Sequence, residues 1–102
     1  MLIIDVSTYD ELEHYLRTEK YKFYKALVNE IEIGWLNNED IAKIARAELI
    51  NGTRIIIDIP SKDWTFTLGK CISYYEGIEE YETCAKLQTL IKEIDAGKLG
   101  NI

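Results

Sequence analysis

The chain has 102 residues, and 12 basic against 18 acidic side chains leave a net charge of −6. A chain of this length forms one domain and buries roughly two-thirds of its unfolded surface, enough for a single core but too little for a core around a large enclosed substrate cavity. The 47% apolar and 29% charged composition excludes a disordered chain, and the acidic balance, with a pI of about 4.8, disfavours direct nucleic-acid binding, which draws its non-specific affinity from Lys and Arg on phosphates.

The segment Leu2-Ile3-Ile4-Asp5-Val6 is short and β-branched and predicts a strand over 2–6. It lacks the charged flank and cleavage site of a leader and the length of a membrane span, so the chain is expected to be cytoplasmic and without membrane contact. Ser7, with Asp10 and Glu11 behind it, predicts a helix N-cap. Leu12, Leu16, Phe23, Leu27 and Ile31 then recur at helical spacing with a gap near Lys20, which predicts a long helix over 8–33 that bends or breaks there. Gly34 ends that pattern. Asn37 or Asn38, followed by Glu39 and Asp40, predicts the cap of a second helix over 39–50, carrying Ile41, Ile44, Ala45 and Leu49. Asn51-Gly52 falls where a residue at positive φ closes a helix.

Thr53-Arg54-Ile55-Ile56-Ile57-Asp58-Ile59 predicts the second strand, over 54–59, stopped by Pro60. Its three consecutive isoleucines predict that both faces are covered. The two strands are expected to pair with each other, in a direction the residues leave open. Past Pro60, Trp64, Leu68, Cys71, Ile72 and Tyr75 predict a helix over 62–77 capped by Ser61 or Asp63. The alternative is a third strand over Trp64 to Leu68, hairpinned to 54–59. Gly77 breaks the helix, and Tyr81, Cys84, Ala85, Leu87, Leu90, Ile91 and Ile94 predict a last helix over 79–96, ending near Gly97. No repeat or low-complexity linker divides the chain, so residues 1–102 read as a single compact α+β domain, mainly helical, with a C-terminal antiparallel helical hairpin.

A hairpin centred between Gly77 and Ile78 sets Trp64 opposite Ile91, Leu68 opposite Leu87, Cys71 opposite Cys84 and Tyr74 opposite Tyr81. Every pair is apolar, small or aromatic on both sides. The two thiols are expected to be close, reduced, buried and inert, as cysteines of an intracellular protein usually are.

Few residues have the spacing that catalysis requires. His14 is the single histidine, set between Glu13 and Tyr15. A general base needs a group aimed at it, and both cysteines lie on a core stripe. No CxxC, HxxxH or EF-hand pattern supplies a metal site, and no glycine-rich phosphate loop is present, so neither cofactor nor metal is expected. Asp58 and Asp63, flanking Pro60, are the remaining carboxylates that could serve a small site. An enzymatic or ligand-binding reading would bring His14 or those two aspartates into one concavity.

Charge distribution is more informative. Arg17, Lys20, Lys22 and Lys25 make part of the first helix basic. Glu30, Glu32, Glu39 and Asp40 form one acidic zone, and Glu76, Glu79, Glu80 and Glu82 form another at the hairpin turn. Carboxylates in such zones are ordinarily solvated helix ends; set beside aromatic residues they also suit contact with a basic protein surface. Aromatics make up 11% of the chain. Phe23, Trp64 and Tyr81 fall on core positions, whereas Tyr15, Tyr21, Trp35 and Tyr74 fit the core pattern less well. Trp35, flanked by acidic residues, is the aromatic candidate for contact, since Trp and Tyr bury large area at low entropic cost.

The run Glu79-Glu80-Tyr81-Glu82-Thr83-Cys84-Ala85-Lys86-Leu87-Gln88-Thr89-Leu90-Ile91 resembles the UVR motif, a short helical hairpin of bacterial excision-repair subunits and some protease adaptors. Glu80, Tyr81, Glu82, Ala85, Leu87 and Ile91 match, whereas Cys84 stands where a small alanine is usual and Gln88-Thr89 replaces an Arg-Asp pair. The resemblance covers residues 64–95 and implies docking on a partner protein, with no catalysis. The expected function is therefore a non-enzymatic acidic interaction module, an adaptor or a phage-like or mobile-element inhibitor that occupies a basic, nucleic-acid-binding protein surface. The competing readings are the small enzyme and a self-associating subunit forming a homo-oligomer.

Overall fold

The structure, a computed structural model, describes residues 1–97. It is a mainly helical α+β fold. In chain order it runs β1 (Leu2–Ile3), α1 (Tyr9–Thr18), α2 (Lys20–Leu36), β2 (Ile41–Glu48), β3 (Arg54–Pro60), a 3-10 turn (Ser61–Asp63), α3 (Trp64–Gly77) and α4 (Tyr81–Asp95). The described strands form one sheet in the order β1-β2-β3, with β1 parallel and β3 antiparallel to the central β2. The two predicted strands thus do not pair with each other; each lies against the one that was predicted to be a helix.

The first helix is capped by Thr8 rather than Ser7. The Thr8 hydroxyl accepts from the Glu11 N–H at 3.2 Å, while the Glu11 carboxylate accepts from the Ser7 N–H at 2.6 Å. The predicted break near Lys20 falls at Glu19, whose φ of −106° and ψ of 45° leave the helical region. Beyond it α2 continues to Leu36 and buries Leu27, Ile31 and Gly34.

Residues 39–50 are not a helix. Asn37 and Asn38 close α2 instead of opening a new one. Asn38 sits at φ 57°, its N–H donating to the Trp35 carbonyl at 3.2 Å, and the Glu39 N–H reaches the Gly34 carbonyl at 2.8 Å. This is the paired C-terminal closure that a left-handed residue permits. The following strand carries a bulge. Lys43 pairs with Asp58 and Ala45 with Ile57, leaving Ile44 as the extra residue. Ile44 and Ala45 therefore both point inward, each at 0% exposure. Two adjacent inward residues inside an alternating strand imitate the three-and-four spacing of a helix. Asn51-Gly52 accordingly turns a β-hairpin: Gly52 has φ 88°, and the Asn51 side-chain oxygen accepts from the Thr53 N–H at 3.0 Å.

On β3, Ile55, Ile57 and Ile59 pack against the core while Arg54, Ile56 and Asp58 face outward. Ile56 is 54% exposed, so the outer face of the strand is open rather than covered. Trp64 begins a helix, which excludes the alternative strand over Trp64 to Leu68; Ser61 lies in the preceding 3-10 turn, and Asp63, at the N-cap, makes no side-chain cap hydrogen bond. The C-terminal hairpin forms as expected. Trp64, Leu68, Cys71, Cys84, Leu87 and Leu90 all join the core, and the Cys84 thiol donates to the Ile72 carbonyl at 3.6 Å.

The hairpin turn repeats the closure seen at Asn38, now on a residue less suited to it. Glu79 has φ 61°, with the Glu79 N–H on the Glu76 carbonyl at 3.0 Å and the Glu80 N–H on the Tyr75 carbonyl at 2.9 Å. A residue with a Cβ costs about 1 kcal/mol or more in that region. Glu79→Gly is therefore expected to stabilise the fold by about 1 kcal/mol in urea titration; an unchanged or lower midpoint would contradict the strain.

Candidate contact surfaces

The topology separates the two acidic zones. The Asp40 carbonyl accepts from the Ser61 N–H at 2.7 Å, which ties Glu39 and Asp40 to the start of α3. Glu76, Glu79, Glu80 and Glu82 lie at its other end. A helix of 14 residues sets these ends about 20 Å apart. Glu30 belongs to neither end: its carboxylate meets the Met1 ammonium at 2.7 Å. Glu32 is exposed on α2. Trp35 is half-buried against the core and lines a small depression with Asn38, Glu39, Asp40, Ser61, Trp64 and Ile94. Its position closes one end of the core.

The hairpin-turn end holds an aromatic cluster. Tyr24 of α2 stacks on Tyr74 of α3, with ring centroids 4.3 Å apart and planes 7° from parallel. Tyr21 meets Tyr75 edge-on at 6.2 Å, and Tyr74 meets Tyr75 edge-on at 5.2 Å. Such geometries add about 0.5–1.5 kcal/mol per pair beyond buried area. Tyr21 and Tyr74 fit the core pattern of the sequence poorly; Tyr24 and Tyr75 complete the group. The available signal was the 21/24 spacing on one helix and the Tyr74-Tyr75 pair on another. Tyr81, expected in the core, is 64% exposed at the first residue of α4, between Glu80 and Glu82. The same end carries the start of α2, where Lys22 pairs with Glu19 at 3.4 Å.

Burial, then neighbouring phenols and Glu80, disfavour the phenolates: Tyr74 is raised above its ordinary range and Tyr75 is pushed from 10.0 to about 12. Both hydroxyls stay protonated at neutral pH. Burial likewise pushes the Cys71 thiol from 9.0 to about 12 and raises Cys84, with Glu76 adding to the latter. Protonated, buried thiols are poor nucleophiles. The unfolded chain releases the Tyr75 proton before the native protein does. The stability held by the neutral phenol is thus complete below about pH 10 and is lost as pH rises through about 12. Urea midpoints are expected to fall between about pH 10 and 12, and to fall less in Tyr75→Phe. Equal slopes would show that Tyr75 does not titrate with unfolding.

His14 lies exposed in an open groove lined by Asp5, Asp10, Glu11, Tyr15 and Glu19. Neither Asp58, on the outer face of β3, nor Asp63, in the 3-10 turn, lines that groove. The convergence required for a small active site is not formed by these three residues. Among the described residues no group of three or more His, Cys, Asp or Glu is placed to hold a metal ion, and no helix is long and apolar enough to cross a membrane. Compared with protein-family models, with curated proteins and with solved structures, the chain finds no match.

Proposed function

We propose that the chain is a non-enzymatic interaction module that binds a basic protein surface through the α3–α4 turn. The observation that carries this reading is the juxtaposition at that turn of Glu76, Glu79, Glu80 and Glu82 with the exposed Tyr81 and the tyrosine cluster behind it. Carboxylates steer and orient a cationic partner, and tyrosine supplies buried area once contact is made. The resemblance of the sequence over residues 79–91 to the UVR motif is in keeping with the same mode of docking. Occupying a basic patch in this way is also how so small a protein would inhibit a nucleic-acid-binding partner. The Glu39 and Asp40 zone, at the far end of α3, is left outside the primary contact.

Affinity capture with the purified chain tests the proposal. The retained partner is expected to be basic, to be lost between about 50 and 300 mM salt, and to be lost with Glu79, Glu80 and Glu82 changed to Lys. Retention indifferent to both changes would remove the acidic-turn reading.

A further inference from the structure

The geometry points to a second interface, independent of the acidic turn: two copies of the chain pair antiparallel through the free edge of β3, about a two-fold axis at Ile56, into one six-stranded sheet. Among the described residues no strand lies beyond β3. Its β-branched run, regular from Arg54 to Ile59, lacks the bulge or internal proline that blunts an edge against pairing.

The ladder fixes which groups that edge offers. At one end the Thr53 carbonyl accepts from the Leu49 N–H at 2.8 Å, and at the other the Ser61 N–H donates to the Asp40 carbonyl at 2.7 Å. Both residues therefore point toward β2. Because backbone groups alternate along a strand, Ile55, Ile57 and Ile59 do so too, and Arg54, Ile56 and Asp58 turn their N–H and C=O outward. An antiparallel partner must pair outward residues with outward residues. Within the strand this is satisfied by an axis at any residue from Arg54 to Asp58, since axes at Ile55 and Ile57 also set outward residues opposite outward ones.

Side chains select among the five: an axis at Ile55 sets Arg54 opposite Ile56, and one at Ile57 sets Asp58 opposite Ile56 and Arg54 opposite Pro60, so neither pairs the two charges with each other. An axis at Arg54 or at Asp58 sets like charges directly opposite each other, and the second also faces Ile56 with Pro60, which has no N–H to give. An axis at Ile56 sets Arg54 opposite Asp58 of the second copy, twice by symmetry, and Ile55 opposite Ile57 of the second copy. Opposite residues share a face, so the ion pairs fall on the open face and the isoleucines extend the half-buried stripe on the helical side. Within each copy Arg54 already faces Glu48 and Asp58 faces Lys43 across β2. The row Glu48, Arg54, then Asp58 and Lys43 of the second copy alternates in sign across the whole sheet. The segment Arg-Ile-Ile-Ile-Asp is self-complementary in charge, in apolar area and in ladder parity at once, as a symmetric interface requires.

Sedimentation velocity on the full chain tests this. The wild type is expected to be a dimer at roughly 100 µM, dissociating on dilution. Asp58→Arg alone and Arg54→Asp alone make the edge single-signed, and each is expected to weaken dimerisation by at least about tenfold. Mixing D58R with R54D restores association, because a doubly basic edge then meets a doubly acidic one. Ile56→Lys sets two ammonium groups near the axis from an exposed site and is expected to be a folded monomer by circular dichroism, which separates lost pairing from lost fold. A wild type that stays monomeric, an Ile56→Lys variant that dimerises as the wild type does, or a mixture that fails to associate would each overturn the proposal. None of these outcomes bears on the acidic turn, which lies on other elements.

Discussion

Trp64→Ala is expected to cost about 3–5 kcal/mol, the range for emptying a fully buried aromatic site. Trp64 is 2% exposed, and its indole N–H donates to the Ile59 carbonyl at 2.9 Å, fastening the start of α3 to the end of β3. The same ring lies under Gly34 of α2. Removing it therefore loosens sheet, second helix and C-terminal hairpin together. Against a total stability of about 5–15 kcal/mol for a domain of this size, urea titration should show a variant close to unfolding. Trp64→Phe keeps most of the packing and loses the donor, so it should cost about 1–2 kcal/mol plus a smaller cavity term. Similar losses in the two variants would show that the hydrogen bond, and not the ring, fixes α3.

Gly34→Ala is expected to destabilise, against the usual sense of a glycine-to-alanine change inside a helix. Alanine ordinarily gains about 1 kcal/mol there. At position 34, however, an added Cβ would lie 3.0 Å from two carbons of the Trp64 ring. The ring is held by its bond to Ile59 and is buried, so α2 must lift from the sheet or the indole must leave its rotamer. Overpacking of this kind costs about 1–3 kcal/mol, which leaves a net loss of up to about 2 kcal/mol after the propensity gain. The effect should largely vanish in a Trp64→Leu background. A double-mutant cycle with no coupling energy would show that the glycine serves something other than this contact.

These two residues also show what the sequence could and could not disclose. The spacing that placed Trp64 on a core face was legible because α3 keeps its helical period from Trp64 through Tyr75. The same regularity made α4 and the bend at Glu19 readable. The close approach at Gly34 was not legible, because it depends on where β3 delivers the ring. The largest error, a helix over 39–50, has a local cause. Lys43 to Glu48 is rich in alanine and long charged side chains that favour helices, and the bulge at Ile44 hides the alternation that would have announced a strand. β1 was visible, but its partner was not, since a parallel pairing across two intervening helices leaves no local mark. Of the contact surfaces, the charges could be read directly. Their separation could not: Asp40 and Glu79 are held at opposite ends of α3 by hydrogen bonds and turns that only the assembled chain makes. Tyr81 was assigned to the core because its position matches the apolar spacing of α4, whereas the first residue of that helix projects past the core.

The bulge also bears on how the chain tolerates changes of length. In an ordinary strand the loss of one residue turns every later side chain to the wrong face. β2 carries its surplus residue at Ile44. Without it, Ala42, Ala45, Ala47 and Leu49 would fall into unbroken alternation, with the Asp58 and Ile57 pairings on either side already in register. A deletion there would empty one isoleucine site and leave the faces of the sheet as they are. The same deletion at Arg46 would invert the remainder of the strand.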